Sequence, residues 1–102
     1  MKVKVSFKLE FLGPIRDGRK RMTSRREPLG NIGDEFEAFG QLFQITEIFQ
    51  SKLEDVANQY YTLEGVETPE HFKSVWNKIH PIRGFVPEQL VWVHRFIRIG
   101  GE

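Results

Sequence analysis

The 102-residue chain contains no cysteine. That absence excludes disulfide stapling, thiolate nucleophiles and thiolate metal sites, and it fits a cytoplasmic setting. No apolar run approaches the ~20 residues that a bilayer-spanning helix needs, so no membrane association is expected. A secretory leader is not expected either, because Lys4, Lys8 and Glu10 interrupt the first ten residues. Histidine is scarce: His71, His80 and His94 are the only three, and none stands in a His-x-x-x-His spacing. No metal site and no cofactor are therefore expected. Walker-type phosphate loops and the residue orders of serine hydrolases are also missing. Internal repeats and linkers are lacking, and the length fits a single domain over residues 1–102.

Acidic residues are rare at one end of the chain. Up to Arg26 there are nine Lys or Arg against only Glu10 and Asp17, a net of +7; from Glu27 onward six basic residues face twelve acids, a net of −6. The overall +1 is thus a cancellation. A small protein with such a split is expected to present one cationic face to an anionic partner. The apolar share of 39% and the aromatic share of 13% are enough to build a core beneath that face.

Hydrophobic periodicity sets the expected elements. Val3, Val5, Phe7, Leu9 and Phe11 alternate with polar residues, the pattern of a half-buried strand broken by Gly13-Pro14. Arg21 to Arg26 reads as a second extended segment. Asp34–Phe39 and Leu42–Phe49 read as a hairpin around Gly40-Gln41. Ser51 followed by Glu54 has the capping-box spacing and opens a helix carrying Leu53, Val56, Ala57 and Tyr60, with Gly65 as its left-handed stop. Thr68-Pro69-Glu70 starts a second helix with the stripe Phe72, Val75, Trp76 and Ile79, ended by His80-Pro81. Gln89–Ile99 is apolar on both alternations, as a central strand would be. Strands do not alternate with helices, which disfavours a parallel doubly wound sheet. The expected class is α+β: a small, mixed β-barrel covered by two α-helices.

The densest polar stretch is Gly18-Arg19-Lys20-Arg21-Met22-Thr23-Ser24-Arg25-Arg26, with five cations and two hydroxyls in nine residues. Clustered cations attract phosphate and depress the pKa of a lysine among them. Arginine forks read phosphate or base edges, and a hydroxyl beside a depressed lysine can serve as a nucleophile. Glu64 falls where the first helix ends, a position that suits pairing with this basic cluster. Tyr61 and Phe85 are candidate stacking rings, and His94, set between Trp92 and Phe96, is a candidate cleft histidine.

The pattern Gly18-x-Lys20-x-x-Thr23-x-Arg25 resembles the signature of the ASCH (activating signal cointegrator homology) family of small PUA-like barrels. Gly33-Asp34, Phe43-Gln44-Ile45-Thr46, Glu64-Gly65, Pro69-Glu70-His71-Phe72 and His94-Arg95-Phe96 resemble later family features in the same order. The resemblance implies a PUA-like barrel and an RNA-linked role. It also implies a link to a bacterial branch that hydrolyses N4-acetylcytidine, whose catalytic positions fall on Lys20, Thr23 and Glu64. The leading expectation is a cleft that binds RNA or a modified nucleoside, with Arg19, Arg21, Ser24, Arg25, Arg26, Tyr61, Phe85 and His94 as binding residues. The alternatives are an N4-acetylcytidine amidohydrolase, and a protein-interaction module with a basic face.

Overall fold

In a computed structural model, residues 1–101 are described. The segment Leu90–Gly101 forms strand β4 in the interior of a four-stranded antiparallel sheet. On one side lies β1 (Met22–Arg25), and on the other β3 (Gln41–Lys52) followed by β2 (Glu35–Ala38), in the order β1-β4-β3-β2. Two register shifts curl the sheet. Ile45 pairs with Phe96 while Glu47 pairs with Arg95, leaving Thr46 extra, and Leu42 and Phe43 pair with Gly100 and Arg98, leaving Ile99 extra. Such bulges sharpen local twist, and a sheet of this size then wraps into a half-barrel. Phe36, Phe43 and Phe96 fill its concavity with ring centroids 5.2–5.4 Å apart.

Helices α1 (Leu12–Arg16), α2 (Leu53–Gln59) and α3 (Pro69–Ile79) complete the chain. Leu53, Val56 and Ala57 of α2 are fully buried, and Phe72, Val75 and Trp76 of α3 join the same core. Among the described residues, no helix is long and apolar enough to cross a membrane.

Several expectations are corrected. The alternating segment 2–11 forms no ladder strand: it makes one parallel bridge, Lys2 with Glu35, and then a 3-10 turn at Leu9–Phe11. The alternation reports only an extended chain laid on the core, with Val5 and Phe11 buried and the lysines exposed. That bridge is also the sole parallel pairing among the described residues, so the sheet itself is antiparallel rather than mixed. Gly13-Pro14 lies inside the first turn of α1, where a missing N–H costs nothing because no intrahelical acceptor exists there. The hairpin turn is Phe39-Gly40, one residue earlier than expected, with both φ angles positive (50° and 81°) and Ala38 paired with Gln41.

Ser51 is not a cap. It belongs to β3, and the free N–H groups of Leu53 and Glu54 are met instead by the carbonyls of Gln89 and Pro87. Helix α2 ends at Gln59, and Gly65 takes its left-handed conformation (φ 91°) six residues later, at the end of a turn. In β4, Val91 and Val93 and also His94 and Phe96 are buried, so both faces are covered near its middle; Leu90, Ile97 and Ile99 are exposed.

Candidate functional site

The site begins with a tie between two loops. The N–H groups of Arg21 and Met22 both donate to the carbonyl of Leu63, at 2.7 and 3.0 Å, and the Lys20 N–H donates to Pro14 O at 3.0 Å. The chain entering β1 is thereby laced to the turn after α2. Gly65 makes the approach possible: a Cβ there would lie 2.8 Å from Lys20 Cβ, and its φ of +91° would strain any other residue. Lys20 precedes β1 and so reaches the same space as Thr23 without violating strand alternation.

Lys20 and Glu64 are 3% and 4% exposed. The Lys20 ammonium donates to Glu64 O at 2.8 Å and to Glu64 Oε1 at 3.2 Å. Ser24 Oγ donates to Glu64 Oε2 at 2.6 Å, so both carboxylate oxygens are held. The Lys20 nitrogen also sits 4.3 Å from the Phe11 ring centroid. Burial holds the Lys20 pKa below the usual lysine range; Glu64 opposes the shift and Arg25 reinforces it. Arg25 Nε donates to Thr23 Oγ1 at 3.0 Å and Arg25 Nη2 to Ser6 O at 2.6 Å, with the guanidinium 5.3 Å from the Phe7 centroid. Because Arg25 occupies a lone pair of the Thr23 hydroxyl, the hydroxyl proton is directed elsewhere.

These groups line a cavity of about 380 Å³. Its buried end is polar, formed by Lys20, Thr23, Ser24 and Glu64. Its walls are apolar and aromatic: Phe7, Phe11, Phe72 and Trp76, with Val66, Val75 and Ile79. Ser6, Lys8, Arg25 and His80 form the more exposed rim. Trp76 is 6% exposed, and its Nε1 is buried with no hydrogen-bond partner among the described residues. His80 follows one helical turn later and packs on Trp76 with centroids 4.3 Å apart. The His80 pKa is lowered by burial and then by the charges of Arg26 and Arg25. Among the described residues, no three acidic or histidine side chains gather as metal ligands.

The remaining sequence candidates divide between other places. Arg19, Arg21 and Tyr61 line a second, more open cleft of about 440 Å³, and Arg19 is ion-paired there with Asp17 at 2.8 Å. Arg26 is exposed and outside the cavity lining, though its charge bears on His80. Phe85 lines neither space. It packs against the core beneath Lys73, whose nitrogen is 5.4 Å from the ring centroid.

His94 is 1% exposed and outside the cavity lining. Its Nε2 accepts from the Leu29 N–H at 3.0 Å, which places the ring proton on Nδ1, 3.3 Å from Thr23 O. It is a neutral structural histidine tying β4 to the loop after β1, and burial lowers its pKa. Sequence reasoning missed Lys8, Phe7, Phe11 and His80 as lining residues, and it set Trp76, a candidate stacking ring, on the core stripe of its helix. The Trp76–His80 spacing of four placed both on one helix face, and that was the available signal.

The curled sheet, with its helices over one face and a polar-ended cavity between them, defines a small α+β domain of the PUA-like kind. No family model matches the sequence, and no curated protein matches it. Its fold is that of ASCH domains: the ASCH domain from Lactobacillus crispatus JV V101 superposes with a TM-score of 0.67 at 13% identity, over 94% of this chain and 76% of that one. The hypothetical protein PH0355 gives a TM-score of 0.72 at 18% identity, over 97% of this chain and all of the other. Protein EF3133 from Enterococcus faecalis V583, of the family model DUF984, gives 0.63 at 16% identity, over 88% and 67%. At these identities the likeness is one of fold.

Proposed function

We propose that the cavity binds a nucleobase, carried by RNA or by a modified nucleoside. The observation that carries this reading is a cavity with aromatic walls, Trp76 among them, and a polar inner end. Aromatic walls suit a planar heterocycle, and the hydroxyls and the Lys20–Glu64 pair suit its hydrogen-bonding edge. The cavity volume of about 380 Å³ lies within the range of small-molecule sites. The shared ASCH fold and the ordered sequence resemblance support the same reading. The test is titration of cytidine and N4-acetylcytidine against Trp76 fluorescence in a Trp92→Phe background. Saturable quenching is expected, and Trp76→Leu, followed by calorimetry, should weaken binding roughly tenfold by removing a stacking wall. No saturable signal with either nucleoside removes the reading.

A second reading, hydrolysis of N4-acetylcytidine to cytidine and acetate, is favoured by the depressed Lys20 pKa. In its neutral form Lys20 donates both N–H groups to Glu64, and its lone pair is left to take a proton from Thr23 or from a water. That oxygen attacks the acetyl carbonyl, and Glu64 relays a proton to the departing N4 amine. If Thr23 is the nucleophile, a water then releases acetate from it. Cytidine release followed by chromatography should vanish in Lys20→Met and Thr23→Ala. Absence of release by the native protein would leave binding alone.

A further inference from the structure

Charge is distributed unevenly along the cavity. At the buried end Lys20 and Glu64 cancel. At the rim, among the described residues, no acid stands within ion-pair distance of a cation. Arg25 is hydrogen-bonded by neutral acceptors, Thr23 Oγ1 and Ser6 O. Lys8 lines the same rim and forms no ion pair among the described residues. Arg26 lies outside the lining, and its charge is felt at His80 on the rim. Unpaired surface cations are ordinary singly. Here two line the mouth of a cavity whose buried end holds a matched ion pair.

We infer that the rim at Lys8 and Arg25 is a phosphate site, so that the cavity's ligand is a nucleotide rather than a nucleoside. The inference rests on the base-binding reading above and adds to it what lies outside the buried base. A base seated at the polar end, stacked on the aromatic walls, would extend its sugar toward the rim, where a phosphate meets these cations. Arg25 is the anchor: two of its five N–H donors are fixed on protein oxygens, so its plane is set in advance and the others are free for phosphate oxygens. Lys8 adds point charge at the rim, and Arg26 adds it from beyond the lining. Two sources share this chemistry, a free mononucleotide and an internal nucleotide of a single-stranded RNA.

The test compares dissociation constants of the native protein for cytidine, cytidine 5′-monophosphate and an unstructured cytidine-containing RNA pentamer, at low salt. The mononucleotide is expected to bind roughly tenfold more tightly than cytidine, since charge-assisted contacts to phosphate are the stronger class. In the double variant Lys8→Gln/Arg26→Gln the ratio of nucleotide to nucleoside affinity should fall to about threefold or less, as one rim charge and the nearby charge of Arg26 are gone. Both positions are surface positions, so folding is expected to survive. A pentamer tighter than the mononucleotide identifies RNA as the source, and equal affinities identify the free nucleotide; either supports the site. Equal binding of cytidine and its monophosphate overturns the phosphate site but leaves base binding standing. An undiminished ratio in the double variant also overturns it. Failure of all three ligands to bind removes the base-binding reading and this inference together.

Discussion

Lys20 and Glu64 are the two buried charges whose company decides the interior of this molecule. Each is nearly inaccessible, and each satisfies the other through more than one hydrogen bond. Desolvating such a pair is expensive, so the pair need not add net stability, but breaking it strands one charge. Lys20→Met and Glu64→Leu, made singly, are each expected to cost about 3–5 kcal/mol in urea denaturation. The double variant should cost clearly less than the sum, because no charge is stranded. Additive losses would show that the two residues do not depend on each other. Gly65 belongs to the same argument: it is the residue whose missing side chain lets Lys20 pass. The pairing itself was legible in outline, because an acid near a helix end opposite a basic cluster invites it. The part of Ser24, which clamps the second carboxylate oxygen, was not, since a strand hydroxyl carries no signal of the partner it will meet.

Among the elements, the two helix starts separate readable signals from misleading ones. Thr68 caps α3: its side chain accepts from the His71 N–H at 2.9 Å, and Pro69 occupies the first turn without needing a partner. Ser51 has the same type of spacing to Glu54 yet sits in β3, because the carbonyls of Pro87 and Gln89 already satisfy the start of α2. Local spacing could show what a cap would look like but not whether a distant loop had taken its place. Thr68→Ala is therefore expected to cost about 1 kcal/mol, with Thr68→Ser close to neutral. Ser51→Ala should stay within about 0.5 kcal/mol of the native protein. A loss at Ser51 matching that at Thr68 would contradict this assignment. The amino-terminal segment errs in the same way. Its alternation correctly places Val5 and Phe11 inward, but a ladder needs a partner strand, and the nearest, β2, spans only Glu35–Ala38. Strand β4, by contrast, was readable as central because it carries apolar residues on both alternations, and Val91, Val93 and Phe96 are buried in a strand that lies between β1 and β3.

At the scale of the whole molecule, the +7 leading segment does not form a separate basic lobe. It supplies Lys8, Lys20 and Arg25 to one side of a cavity that receives Glu64 and the α3 wall from the acidic remainder. Besides the β1–β4 ladder and the Lys20–Glu64 pair, the halves are joined by His94, which accepts from Leu29 and lies against Thr23 O, linking β4, β1 and the loop that follows Arg26. This bond requires a neutral ring, since a second proton would fall on Nε2 and face the Leu29 N–H. Burial lowers the His94 pKa in the folded protein, so the unfolded chain takes up the proton first as pH falls. Stability is then fully present above the ordinary histidine value of about 6.5 and is lost as pH falls below it toward the folded pKa. One proton can contribute a slope of at most about 1.4 kcal/mol per pH unit. His80 shifts in the same direction from a more open position and adds a smaller share. Urea denaturation between pH 7.5 and 5.5, a window chosen to lie above ordinary carboxylate titration (about 4), should show stability falling on the acid side. His94→Gln keeps an acceptor and a donor without the titration, so it is expected to start from lower stability and to vary less across the window. A native protein with flat stability from pH 7.5 to 5.5 would mean that His94 is not the neutral tie between the two halves.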